Sequence, residues 1–202
     1  MFSYKSRVRV GLTMGFVCLL SGALFASKVL HMNLASLTNN AGAIFRGTLT
    51  DVQHGVISVG GAELPTTTYR FLVSEDFKGQ STTTKANVRT IEMKVIGTTK
   101  HQHTVVNGQR KLSVLPEPPN MVTGGDYLVF ATSPSAVGLC TTVGLNQGFF
   151  RIYNKNKQEY AENGLNNAGL FRNMATSAQQ QTEGAIEYNV LASEIRSLLG
   201  GQ

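Results

Sequence analysis

The chain has 202 residues, 42% of them apolar and 15% charged, with two cysteines and no tryptophan. That is the balance of a single folded domain with a core of its own, and it excludes a disordered, charge-rich tail. The formal charge of +6 includes three basic residues in the first 26, which hold no acid; the rest carries 15 basic against 12 acidic side chains, a net of +3 that gives little reason to expect a polyanion partner.

Residues 1–26 read as an export signal: Lys5, Arg7 and Arg9, then an apolar stretch over 10–25, then small residues around Ala26. The apolar stretch is shorter and richer in glycine than the run of about 20 residues that a permanent span needs. Cleavage is expected after Ala26, with Ala23 as the second choice. Retention as an uncleaved anchor is the alternative, because Leu24 is a poor residue three places before the best break. Cys18 follows Val17, where a lipoprotein needs a small residue, so it reads as part of the apolar plug. Cleavage would leave Cys140 as the only cysteine and no intramolecular disulfide, which favours a bacterial exported protein, periplasmic or extracellular, over a small secreted animal domain.

After this leader, Val29, Leu30, Leu34 and Leu37 have the spacing of a short amphipathic helix that Asn39 to Gly42 end. Strand patterns then dominate to about residue 160. "AIFRGTLTDV" sets Phe45, Gly47 and Leu49 on one face, with a bulge or sharp bend expected at Gly47. "TYRFLVSEDFKG" alternates Tyr69, Phe71 and Val73 with Arg70 and Ser74, then turns at Gly79. "VRTIEMKVIG" alternates Ile91, Met93 and Val95 with Thr90, Glu92 and Lys94, as a sheet with one wet face requires. Asn107-Gly108 reads as a hairpin turn between two short runs. The Pro-rich 115–126 stretch suits neither strand nor helix and leads through Gly124 and Gly125 into "DYLVFAT", apolar on both faces and so central. "GFFRIY" is the last of five main strands. The Asn- and Gln-rich residues 154–181 are expected to be ordered only in patches. Over 182–199, Tyr188, Leu191, Ile195 and Leu198 recur three or four apart as an amphipathic helix.

Five or six strands with a short N-terminal and a C-terminal helix point to a small closed β-barrel of the OB type, with an immunoglobulin-like sandwich as the competitor. Four stretches in order, "AIFRGTLTDV", "TYRFLVSEDFKG", "GGDYLVFA" and "VGLNQGFFRI", followed by the terminal helix, resemble a group of exported bacterial proteins with a netrin-like, TIMP-like OB domain. The resemblance covers about residues 28–199. It implies a protein-interaction domain, one form of which is a tissue-inhibitor-like modulator of a secreted protease. Tissue inhibitors chelate the protease zinc through an N-terminal cysteine. A mature start at Ser27 or Leu24 offers none, so that mechanism carries over to no residue here.

Residues that could carry chemistry have plainer readings beside them. A catalytic thiol needs a neighbouring base, and Cys140 has uncharged flanks, so it reads as a small buried hydrophobe. On a strand His101 and His103 point the same way and could give zinc or copper two nitrogens, with His54 or an acid as a third; without that, "KHQH" is a polar hairpin shoulder. Glu75 and Asp76 read as solvated charge in a turn beside Lys78. Gly60-Gly61, Gly124-Gly125, Gly144 and Gly148 read as turn residues, because no Lys-Ser/Thr pair opens a helix after them. Tyr69, Arg70, Phe71, Arg89 and Lys94 could be arranged for single-stranded nucleic acid, but the aromatics alternate inward and the basic residues outward. The expectation is therefore an exported, non-enzymatic domain with a protein partner, no nucleic acid, no cofactor or metal, and membrane contact only through an uncleaved leader. An exported metal-binding or hydrolytic enzyme using His101 and His103 is the alternative, and a surface or matrix structural protein is a further one.

Overall fold

The computed structural model describes residues 31–79, 82–83, 88–98, 103–106, 109–112, 117–175 and 183–200. The expected leader, with Cys18, lies outside these residues, as do His101 and the Asn107-Gly108 pair. In chain order the elements are helix α1 (Leu34–Asn40), strands β1 (Ala43–Val59), β2 (Ala62–Lys78), β3 (Thr82–Thr83), β4 (Arg89–Ile96), β5 (His103–Val106), β6 (Gln109–Leu112), β7 (Asp126–Ala131), β8 (Phe149–Lys155), β9 (Gln158–Asn163) and β10 (Ile186–Glu187), and helix α2 (Tyr188–Gly200). Eight strands form one sheet in the order β10-β9-β8-β7-β1-β2-β4-β3, and β5 pairs with β6 as a separate hairpin. All the pairings are antiparallel.

The β-rich class expected from the sequence is the observed one, but the closed barrel is not. Among the described residues, no strand pairing joins the ends of the sheet, β10 and β3. The physical reason lies between β4 and β7. There Pro118 and Pro119, which carry no backbone N–H, lead into irregular chain with a turn at Thr123 and Gly124, and among the described residues no strand pairs β4 with β7. Loop backbone reaches across instead: the Cys140 N–H donates to the Lys94 carbonyl of β4 at 2.8 Å, and Thr142 bridges to Ala131 at the end of β7.

The long β1–β2 hairpin turns at Gly60 and Gly61, whose φ values of 59° and 81° suit the two-residue turn that matches strand twist. Its register shifts three times, between Ile44/Phe45, Arg46/Gly47 and Leu49/Asp51, which bends the ribbon. Gly47 is required by close approach, because a Cβ there would lie 2.7 Å from the Leu72 carbonyl oxygen.

Two cores result. One packs Ile44, Leu128, Phe130, Phe150 and Ile152 against α1 and α2, including Leu34, Leu37, Leu191 and Ile195. The other gathers Phe45, Leu49, Tyr69, Phe71, Met93 and Val129 within the bent part of the sheet. Strand β7 alternates between them and is buried on both faces, as its apolar run requires. Asn33 caps α1, accepting the Ser36 N–H at 2.9 Å. Strand β9 and the turns to residue 175 fall in the Asn-rich segment, where Ala161, Leu170 and Phe171 complete the first core. Helix α2 starts at Tyr188, later than the sequence pattern indicates, because Ile186 and Glu187 first pair with β9.

Candidate functional site

Among the described residues, those singled out in the sequence do not converge; His101 lies outside them. Cys140 is half-buried beside the second core, and burial pushes its thiol up from the ordinary value, partly offset by its backbone contact with Lys94. A raised thiol is a poor nucleophile at neutral pH. Peptide-resolved labelling at pH 8 is expected to modify Cys140 at least about tenfold more slowly in the folded protein than in urea; equal rates would show a reactive thiol.

His54 Nδ1 lies 3.2 Å from Thr67 Oγ1 and 3.5 Å from Thr98 Oγ1. His103 is on β5, and no group of three or more possible metal ligands occurs among the described residues. Tyr69 and Phe71 are buried, while Arg70 pairs outward with Glu92 and Asp51 and Arg89 donates to the Ser74 carbonyl. The Tyr69 hydroxyl donates to the Pro119 carbonyl at 2.6 Å, and burial pushes it up to about 12. That bond fastens the Pro-rich loop over the second core.

Glu75 departs from the solvated turn expected for it, because β2 continues to Lys78 and carries it under α2. It accepts the Tyr188 hydroxyl at 2.5 Å and pairs with Arg196. The ring of Tyr188 lies 4.3 Å beneath the Arg46 guanidinium. Arg46 bonds Asp126 at 2.6 and 2.9 Å and Glu159 at 2.6 and 2.8 Å. Hydrogen bonding to Glu159 is the largest influence holding Arg46 charged against its burial, and the same bonds keep Glu159 below the usual carboxylate range. With four bonds and a stacked ring, Arg46 is a clamp joining β1, β7, β9 and α2. It has little capacity left for a ligand.

The open chemistry lies on the opposite face of β7–β9. Along β8, Phe150 and Ile152 enter the first core, so Phe149, Arg151 and Tyr153 point the other way. A groove of about 870 Å³ opens there, floored by these three with Tyr127 and Glu162 and walled by the loop at Asn120 and Val122. Two aromatic pairs mark it. Tyr127 and Phe149 meet edge to face with centroids 6.5 Å apart, and Tyr153 stacks on Tyr160 at 6.2 Å and 27°. Register places Arg151 opposite Tyr127 on one side and Glu162 on the other. The Tyr153 hydroxyl donates to one Glu162 oxygen at 3.2 Å. The exposed Arg151 guanidinium makes no hydrogen bond or ion pair with a described residue. The wall is fixed too: the Tyr127 hydroxyl accepts the Val122 N–H at 2.8 Å, and Gly125 leaves room for that ring, since a Cβ there would lie 2.6 Å from it.

Sequence reasoning identified the β8 strand but assigned no function to its outward face. The alternation in "FFRIY" is the signal that could have found it; β9, which supplies Tyr160 and Glu162, has only Ala161 as an apolar marker. No family model matches the chain, and the search of curated proteins finds no match either.

Proposed function

We propose that the chain is an exported, non-catalytic binding domain that holds its partner in the β7–β9 groove. The observation that carries this reading is a groove floored by the half-buried Phe149 and Tyr153 around an exposed arginine that has no hydrogen-bond or ion-pair partner among the described residues. Concave aromatic surfaces with a few convergent polar groups are the usual form of a ligand site. Export is supported by the basic-then-apolar pattern of residues 1–26. A netrin-like relation is supported by the four strand motifs alone.

The test is retention. Purified protein is immobilised and exposed to periplasmic and secreted fractions under several native conditions, beside the Arg151→Gln variant. A component held by the parent and released by the variant supports the proposal; equal retention, or none, overturns it. A tissue-inhibitor-like modulator would further show as a retained protease whose activity falls when the domain is added.

A further inference from the structure

Resting on the groove as a binding surface, we propose that its occupant is a neutral oligosaccharide, with sugar rings against the half-buried Phe149 and the Tyr153–Tyr160 pair and hydroxyls on Arg151 and Glu162, while the buried Tyr127 backs Phe149 from beneath. The floor is a sheet face and not an edge, since β8 is paired with β7 on one side and β9 on the other. A polypeptide strand therefore finds no free ladder to extend, and recognition falls to side chains.

Those side chains select the ligand by hydrogen-bond type. A guanidinium only donates and a carboxylate only accepts. Arg151 and Glu162 sit opposite each other in register, so their charges cancel and a donor face adjoins an acceptor face. The matching ligand is uncharged and offers donors and acceptors side by side, which is what vicinal hydroxyls do. A proline-rich peptide offers carbonyl acceptors but few donors and would leave Glu162 unmatched. A polyanion would meet Glu162 in repulsion.

The apolar part of the floor agrees. The C–H face of a sugar ring carries slight positive charge and packs against the negative face of an aromatic ring. From Phe149 to Tyr153 the strand rises about 13 Å, the reach of a short oligosaccharide and not of one sugar. The groove volume of about 870 Å³ is within the range that encloses such a ligand.

With no tryptophan in the chain, emission comes from its six tyrosines, of which Tyr127, Tyr153 and Tyr160 belong to the groove, so the change lost in Tyr153→Leu isolates the groove signal. The purified protein is titrated, by fluorescence and by calorimetry, with neutral glucan, chitin and mannan hexasaccharides, their disaccharides, a hexauronate and a proline-rich peptide. The expected result is that at least one neutral hexasaccharide binds, about tenfold tighter than its disaccharide. Arg151→Gln, an exposed change, and Tyr153→Leu should each weaken it about tenfold with the melting curve of Arg151→Gln unchanged. Binding of no neutral sugar, or preference for the hexauronate or the peptide, overturns the assignment. If a partner is still retained through Arg151 while no sugar binds, the oligosaccharide is wrong and the binding reading stands; if neither occurs, both fall.

Discussion

Replacing Arg46 with alanine is expected to lower the unfolding free energy by about 2–3 kcal/mol, less than breaking a fully buried pair costs, because the Asp126 and Glu159 side chains left without their cation are 29% and 38% exposed. The side chain of Arg46 is 15% exposed, and Asp126 and Glu159 reach it from strands on either side of β8. An exposed ion pair would contribute well under this. What makes the difference is enclosure, together with four bonds and the Tyr188 ring that leave the guanidinium one geometry. Arg46→Met is expected to cost as much, because the loss comes from the stranded acids and not from missing volume. The pH dependence has a fixed sign. Glu159 is depressed in the folded state, so its contribution is present above the unfolded glutamate value and is lost as pH falls through the folded one. Arg46 stays charged throughout and adds no slope. Urea midpoints measured from pH 7 down to pH 3 should therefore fall more steeply for the parent than for Arg46→Ala. Parallel curves, or a variant within about 0.5 kcal/mol of the parent at pH 7, would show that the clamp contributes only as a surface pair does.

Strand positions were legible where alternation was strong. Ile91, Met93 and Val95 named their face correctly, and the unbroken apolar run of β7 announced a strand covered on both sides. Closure was not legible. Alternation records which side of a strand is buried, but whether a sheet curls shut depends on what lies between the strands that would have to meet, and between β4 and β7 the described residues are Pro-containing loop. The clamp was hidden for another reason: Arg46 and its acids are 80 and 113 residues apart, and no local pattern links them. The polar run "SEDFKG" reads as a turn, yet pairing with β1 extends the strand to Lys78 and sets the Glu75 carboxylate under α2. The groove falls between these cases. Its β8 half follows from a strand whose even positions enter a core, while its β9 half needed the fold.

Two separate cores make a prediction that a single barrel interior does not. Phe71, on β2, is fully buried with its ring 5.2 Å from that of Phe45 in one core. Phe150, on β8, is fully buried with its ring 5.7 Å from that of Phe130 in the other. Strands β1 and β7 lie between them in the sheet, a separation of about 14 Å at the usual strand spacing. Truncating either ring to alanine is expected to cost about 3–5 kcal/mol through lost burial and the cavity left behind. Phe71→Leu and Phe150→Leu, at about 1–2 kcal/mol each, leave enough stability to measure the pair together. Because the two side chains belong to separate core clusters, the double variant should lose the sum of the single losses to within about 0.5 kcal/mol. In one continuous barrel core the rings would pack through common neighbours, and relaxation around the first substitution would change the cost of the second. A coupling above about 1 kcal/mol in equilibrium denaturation would mean that the two faces of the sheet pack as one core.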